Sequence, residues 1–332
     1  MDQYPDQKVD PSASPSTTPS RRALKIVVAV LTYRRPEGIS KLLHSMTRQI
    51  EDPARPYELT LLVIDNDRAG SGQAAVSRFA DTGKYTLKYV VESRQGIPIA
   101  RNRAMDEAPA GTDLFCFLDD DEWPVDEWVD SLLAVRKATD ADCLYGPVEP
   151  VYPENAPTYF IKARTFERTR RTDGERLNYA ASNNVMFDYA LFRSLHLQFD
   201  ERMRFTGGTD YLFFNQANRR GVKIYWADAA LVYDIVPASR MTWKWVLLRQ
   251  YRLGNTLALG DVLDGGRKRQ IFRLAYGLAR CGLGLVMVPA LLFSPRYGMR
   301  AVTHAIRGAG MVAGILGYRY QEYKPAENGS VS

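Results

Sequence analysis

The chain of 332 residues is long enough to bury a substantial core, in one large domain or one domain with an appendage. Hydrophobic residues make up 45% and charged residues 25%, which excludes wholesale disorder, a collagen-like repeat and a polytopic transporter. Forty-four Lys and Arg against 38 Asp and Glu leave a net charge of +6, which suits nucleic acid, an anionic membrane or a phosphorylated substrate alike.

Residues 1–22 are rich in Pro, Ser, Thr and Asp and contain no apolar run, so they read as a disordered tail without a secretory signal. The first strong element is the β-branched apolar run at 25–31, of the kind found in a strand covered on both faces. Similar runs at 59–64, 87–91 and 114–118 follow at intervals of roughly 30 residues, the length of a βαβ unit. Between them the apolar spacing turns helical at 39–49, 73–80 and 97–107. Right-handed crossovers make this part of the chain a doubly wound α/β unit with a parallel sheet, whose ligands bind outside the carboxyl ends of the strands. The residues to read are therefore 32–36, 65–67, 92–96 and 119–122. Cys116, Cys143 and Cys281 are scattered, as are His44, His196 and His304. Neither a disulfide framework nor a zinc cluster is expected, and the protein reads as cytosolic.

The run at 114–118 leads straight into Asp119, Asp120, Asp121 and Glu122, four consecutive acids at the exit of an apolar strand. In an extended segment Asp119 and Asp121 project to the same side, a pair suited to a hard divalent ion that also holds a diphosphate. The alternative is a solvated turn leading into a helix with Pro124 in its first turn. Asp65 could accept a base N–H or a ribose hydroxyl, or else close an Asx turn. Gly96 opens a helix whose amides and Arg101 could face phosphate, or whose Arg101 and Arg103 form a basic surface. Asp210 lies in the first turn of a further helix that ends at Gly221, where a carboxylate stays ionised and can act as a cap.

Taken in order, 28–36 (Val-Ala-Val-Leu-Thr-Tyr-Arg-Arg-Pro), 63–66 (Val-Ile-Asp-Asn), 96–102 (Gly-Ile-Pro-Ile-Ala-Arg-Asn) and 117–122 (Phe-Leu-Asp-Asp-Asp-Glu) resemble the inverting glycosyltransferases of family 2, over about 24–255. The resemblance implies a GT-A fold, a Rossmann-like, mostly parallel sheet that binds a nucleotide sugar. It places Thr32, Arg34, Asp65, Arg101, Asp119 and Asp120 at the nucleotide-sugar site and makes Asp119 and Asp121 the DxD acids that hold Mg²⁺ or Mn²⁺. Asp210 aligns with the general base of the family's Gly-Glu-Asp pattern, with Thr209 standing where the Glu would be. Asn183 and Asn184 resemble the strand beside the acceptor. The Gln-x-x-Arg-Trp motif of processive members is absent, Arg249 and Arg252 standing in that region, which implies addition of one sugar per encounter. The segment 236–245 resembles bacterial exopolysaccharide glucosyltransferases, including those of the succinoglycan type.

From 265 to 325 there are ten basic residues and one acid, Glu322, a charge of +9 that leaves −3 for everything else. Arg269, Arg273, Arg280 and Arg296, Arg300, Arg307 both follow the spacing i, i+4, i+11, which keeps each trio on one helical stripe. Ile271, Leu274, Leu278 and Leu285 lie opposite the first stripe, and Ala301, Val302, Ala305, Val312 and Leu316 opposite the second. The longest uncharged stretch, 281–295, falls short of the ~18–20 residues of a spanning helix, so interfacial or re-entrant attachment is expected. Two ordinary helices packing their apolar faces on the enzyme, with arginines in water, are the alternative. The glycine-rich segment 308–317 offers lipid a surface and bases little to stack on, which argues against nucleic acid.

The expected organisation is a tail (1–22), a GT-A catalytic domain (23–264), basic amphipathic membrane-associated helices (265–325) and a second tail (326–332). The expected function is inverting, metal-dependent transfer of one sugar, glucose from UDP-glucose, to a lipid-linked oligosaccharide of an exopolysaccharide or other cell-surface glycan. The enzyme would lie on the cytoplasmic face of the inner membrane, peripheral or monotopic, against anionic lipid and alongside polysaccharide-assembly proteins. A non-catalytic membrane-associated assembly factor that keeps the fold is the competing reading, raised by Thr209.

Overall fold

In the computed structural model, which describes residues 22–322, the run read at 25–31 forms β1 (Leu24–Thr32). Ile26, Val28 and Val30 enter one core while Val27 and Ala29 enter another, so both faces are covered and the run carries no polar alternation. There follow α1 (Pro36–Met46), β2 (Tyr57–Asp65), α2 (Gln73–Ser77), β3 (Thr86–Val91), α3 (Ile97–Asp106) and β4 (Leu114–Asp119), each overlapping the element expected there. β1 pairs in parallel with β2 and β4, and β2 with β3. Winding reverses at β1, which opens a crevice at the carboxyl ends of β1 and β4, where Leu31 lies opposite Asp119.

The chain continues through β5 (Glu122–Pro124), α4 (Trp128–Ala138), β6 (Cys143–Tyr145), β7 (Val148–Val151), α5 (Thr158–Lys162), β8 (Arg176–Leu177), β9 (Val185–Asp188), α6 (Tyr189–Ser194), α7 (Thr209–Arg219), β10 (Ile224–Trp226) and β11 (Val232–Ile235). The large sheet has the order β3-β2-β1-β4-β9-β6-β10-β8, with β9 antiparallel to both β4 and β6, while β5, β11 and β7 form a separate three-stranded sheet. Residues 122–124 are thus a strand, not the helix start that Pro124 suggested; the helix begins at Trp128.

The last three helices, α8 (Trp243–Asp264), α9 (Gly266–Val286) and α10 (Pro295–Ile315), form one interlocked layer. A Cβ on Gly254 of α8 would lie 2.0 Å from the Arg307 carbonyl oxygen, and one on Gly310 of α10 the same distance from that of Tyr251. Gly284 of α9 also meets Ala305 closely, with a Cβ falling 2.4 Å from its amide nitrogen. Three of the four glycines of 308–317 therefore do not offer lipid a surface: Gly308, Gly310 and Gly314 are buried against neighbouring helices, and only Gly317 is exposed. Asn255 of α8 donates to the Tyr318 carbonyl at 2.9 Å, and Arg252 pairs with Glu322, so the chain beyond 265 is continuous with α8 rather than hung from it. Gly310→Val should lower unfolding free energy by about 1–3 kcal/mol through overpacking, whereas Gly282→Ala, whose Cβ meets nothing within 4 Å, should not destabilise; denaturant midpoints measure both.

The two arginine stripes do not share one orientation. Arg273 turns inward to Asp261 at 2.6 Å, and Arg307 turns inward to Gln250, while Arg269, Arg296 and Arg300 are exposed. α9 packs through Arg273, Gly277 and Gly284 and leaves its apolar side outside: Ile271, Phe272, Leu278, Leu285 and Val286 are all exposed. This excludes the ordinary amphipathic packing for α9, although α10 buries Ala301 and Met311 in the usual way. The α9–α10 turn ends in Leu292 and Phe293, each 83% exposed. Among the described residues no helix is long and apolar enough to cross a membrane. The tails expected at 1–22 and 326–332 lie outside the described residues, except Arg22, which pairs with Asp113 at 2.6 Å.

Candidate active site

The crevice where the winding reverses gathers the acids of 119–122. Buried Asp120 accepts from Thr32 Oγ1 at 2.8 Å, a bond that crosses from the end of β1 to the end of β4. Arg35, on the loop entering α1, donates to Asp120 at 3.0 Å and to Asp121 at 2.9 Å. Glu122 accepts the Asp119 backbone N–H at 3.1 Å and the Asn183 amide at 2.9 Å, fixing the turn from below. Burial drives the Asp119 carboxyl well above the usual carboxylate range; Arg101 opposes the rise, and the charges of Asp121, Asp120 and Asp210 add to it. Burial and the neighbouring Asp119 push Glu122 the same way, and burial raises Asp120 against the pull of Arg35.

So dense a group of oxygen donors is unfavourable without positive charge, and its chemistry suits a hard cation. Among the described residues no three Asp, Glu, His or Cys side chains converge into a metal cage. A cation at Asp119 and Asp121 would thus complete its shell with water and diphosphate oxygens, which is how Mg²⁺ is commonly held.

Asp210 reaches this crevice through the start of α7. Gly207 and Gly208 both take positive φ, 74° and 72°, and a Cβ on Gly208 would fall 1.8 Å from Thr256 of α8, so only glycine fits the approach. Thr209 and Asp210 then form the first turn, where the Tyr211 N–H donates to Asp210 Oδ1 at 2.8 Å. Arg101 of α3 donates to Thr209 Oγ1 at 2.8 Å and lies over the Phe199 ring at 5.3 Å. Phe199 stacks on Phe213 of α7 at 4.0 Å and meets the edge of Phe117 of β4 at 5.7 Å. A rigid aromatic chain thus joins the strand carrying Asp119 to the helix carrying Asp210. Thr209 keeps a defined place in it as the acceptor for Arg101.

Of the other residues singled out in the sequence, Asp65 ends β2 directly opposite Thr32, at the same edge of the sheet. Asp65 is fully buried and closes the Asx turn: Oδ1 accepts the Asp67 N–H at 2.9 Å, and Oδ2 accepts from the Gly72 N–H at 2.7 Å and the Tyr89 hydroxyl at 2.6 Å. Arg34, at φ 55°, turns to the rim and pairs with Asp67 at 3.1 Å. Asn184 accepts from Trp128 and donates to the carbonyls of Pro147 and Ala230, so it clips core segments together.

Sequence reasoning passed over Arg35, Asp234 and Arg240. The positive φ of Arg34 turns Arg35, not Arg34, onto the acids, and nothing in a pair of adjacent arginines announces that. Asp234 on β11 lies opposite Glu122 on β5, a ladder too short to leave a periodic signal. Burial and the charge of Asp121 push Asp234 up to about 6. Arg240 stands 3.6 Å from Asp121 and 4.0 Å from Asp234.

The profile of Glycosyl transferase family 2 matches residues 27–198. Succinoglycan biosynthesis protein ExoM of Rhizobium meliloti (strain 1021) is 30% identical over 305 residues, covering 89% of this chain and 94% of that protein. S. aureus TarS 1–349 in complex with UDP-GlcNAc superposes with a TM-score of 0.52 at 16% identity, over 86% of this chain and 90% of that one. GalNAc-T7 with UDP, GalNAc and Mn²⁺ superposes with a TM-score of 0.54 at 13% identity, over 74% of this chain and 53% of that one. At these identities the two structural likenesses speak for the fold, a GT-A-type α/β architecture.

Proposed function

The chain belongs to glycosyl transferase family 2, and from that premise we propose an inverting, metal-dependent, non-processive enzyme. It moves one glucose from UDP-glucose to a lipid-linked oligosaccharide in the synthesis of an exopolysaccharide or other cell-surface glycan. The observation that carries this reading is the Arg101–Thr209 bond at 2.8 Å, which ties the base helix to the acid crevice and keeps Asp210 within electrostatic reach of Asp119. The same bond gives Thr209 a structural place beside the acids, which supports the catalytic reading over a non-catalytic assembly factor that keeps the fold. ExoM, by its name a succinoglycan biosynthesis protein, supports the glycan class, and the UDP-GlcNAc complex of TarS supports a UDP-sugar donor.

In this reading Asp210 takes the proton of the acceptor hydroxyl. The acceptor oxygen bonds to the anomeric carbon from the side opposite the diphosphate, and the bond to the diphosphate breaks with its electron pair leaving on the nucleotide. Asp119 and Asp121 would hold Mg²⁺ or Mn²⁺, which would supply positive charge for that departing group. Thr32 positions Asp120 on the nucleotide side, Asp65 shapes the loop beside it, and Arg34 stands at its rim. Arg101 offsets part of the negative charge between Asp119 and Asp210. Incubation with labelled UDP-glucose, Mn²⁺ and a membrane extract should yield labelled lipid-linked product; a product-free reaction contradicts the assignment.

The enzyme acts, we further propose, on the cytoplasmic face of the inner membrane beside polysaccharide-assembly proteins, held through one apolar surface made of the outward face of α9 and the turn after it with Leu292 and Phe293. That face exposes Phe272, Leu285 and Val286, and it is flanked by exposed Arg267, Lys268 and Arg269 at one end and Arg296 and Arg300 at the other, which suits an anionic bilayer. The double substitution Leu292→Asp, Phe293→Asp should abolish flotation with anionic liposomes while leaving the thermal midpoint unchanged, since both side chains are exposed. Undiminished flotation rules this face out.

A further inference from the structure

We propose that the Tyr179 ring is the platform for the acceptor's terminal sugar, beside a buried, unmet hydrogen-bond acceptor on Asn183; the role rests on the transferase reading above. Residues 179–183 lead into β9 at the edge of the acid crevice. β4 and β9 are antiparallel with Phe117 opposite Val185, and the same register carried two residues further sets Asn183 opposite Asp119. The Asn183 amide donates to Glu122 at 2.9 Å, and Glu122 accepts the Asp119 N–H, so Asn183 is fixed at the foot of the crevice. Its Oδ1 is left buried without a hydrogen-bond partner among the described residues, as is Oγ of the adjacent Ser182, the two residues being 5% and 1% exposed. Unmet polar atoms at such depth are unfavourable until a ligand meets them, and a sugar brings hydroxyls that both donate and accept.

Tyr179 supplies the apolar half of such a site. Its ring lies 6.3 Å from that of Tyr145 and 6.5 Å from that of Tyr211. Tyr145 meets Trp226 edge-on at 5.3 Å and lies within electrostatic reach of Asp210, while Tyr211 follows Asp210 directly in α7 and donates its N–H to that carboxylate. Both ring neighbours of Tyr179 thus adjoin the base. Tyr145 is 7% exposed and belongs to the core, whereas Tyr179 is 38% exposed, so its ring ends the aromatic row on the open side. A pyranose lays its C–H face on such a ring and turns its hydroxyls to polar atoms at the edge.

Position assigns the platform to the acceptor. The proton taken by Asp210 comes from an acceptor hydroxyl, so the sugar bearing it must lie within hydrogen-bond reach of that carboxylate. Thr32, Asp120 and their partner Arg35 mark the nucleotide side, where β1 and β4 end. The row through Tyr179 instead runs from Tyr145 of β6 to Tyr211 of α7, on the side of the base. The ligand this selects is an uncharged pyranose with one open C–H face, the terminal sugar of a glycan acceptor.

Saturation-transfer NMR of the full chain with methyl β-cellobioside, a soluble neutral disaccharide, reads the platform with and without saturating UDP and Mg²⁺. The ring C–H protons of the probe should receive saturation in both conditions, and equally so in Tyr179→Phe, which keeps the aromatic face. Tyr179→Ala should weaken the probe about five- to twentyfold, the loss of one aromatic face, while UDP affinity moves by less than about twofold. Its thermal midpoint should hold, because the side chain is exposed. With labelled UDP-glucose and a dilution series of membrane extract, the same variant should raise the extract needed for half-maximal rate by a similar factor and keep the maximal rate within about threefold. Undiminished binding in Tyr179→Ala, equal loss in Tyr179→Phe, displacement of the probe by UDP, or no saturation of the probe by the native chain would each overturn the proposal. Should UDP itself fail to bind, the nucleotide-sugar reading falls, and the titration without UDP still decides the platform.

Discussion

Asp210→Asn is expected to lower kcat by about 10²- to 10⁴-fold, the range for removing a positioned general base, while UDP-glucose affinity stays within about threefold. Asparagine keeps the size of the side chain and an oxygen that can accept the Tyr211 N–H, so the first turn of α7 retains its 2.8 Å bond. What disappears is the negative charge that receives the proton. The Arg101–Thr209 bond and the Phe199–Phe213 stack do not involve Asp210, so the crevice keeps its shape. Steady-state kinetics with labelled donor separate the two parameters. A variant with near-normal kcat would show that another group takes the proton.

Asp121→Ala should reduce transfer in Mn²⁺ by about 10³-fold, since metal stabilisation of a leaving diphosphate supplies several kcal/mol. It should also make UDP binding insensitive to EDTA, whereas the native enzyme should bind UDP more weakly once the metal is removed. Asp121 is 28% exposed at the side chain, and it is contacted by Arg35 and Arg240 rather than by backbone. Its loss therefore leaves the Thr32–Asp120 bond and the β4 exit in place. Calorimetric titration of UDP with Mn²⁺ or with EDTA reads the result. Metal-dependent binding that persists in the variant would place the cation elsewhere.

β1, β2 and β4 were legible because their apolar runs are buried on both faces, whereas β3 is an edge strand with no buried residue, legible only through its apolar positions around Lys88. Strand order then led to the crevice, and the acids at 119–122 stood out because an apolar strand ends in them. Asp210 was legible as a helix-start acid. Three other features were not. The inward turn of Arg35 depends on the positive φ of its neighbour, which the sequence does not show. Asp234 joins the site through a ladder to the three-residue strand β5.

The orientation of α9 escaped for a more general reason. An amphipathic spacing states that a helix has two sides and leaves open which one meets the protein. Here Asp261 receives Arg273, and Gly277 and Gly284 permit close approach to α10, so the side bearing these three faces inward while Ile271, Leu278 and Leu285 face outward and Arg269 stays exposed. Asp65 illustrates the opposite case. Its candidate roles were both visible in the sequence, and three donors within 2.9 Å show it as the organiser of its loop.

The central claim is a single displacement driven by Asp210 at a family 2 crevice, and the stereochemistry of the product tests it most directly. UDP-α-glucose, Mn²⁺ and a lipid-linked oligosaccharide acceptor should give a β-linked glucose, detected by the proton spectrum of the released glycan and by its sensitivity to a β-glucosidase. An α-linked product would mean retention and would contradict the account.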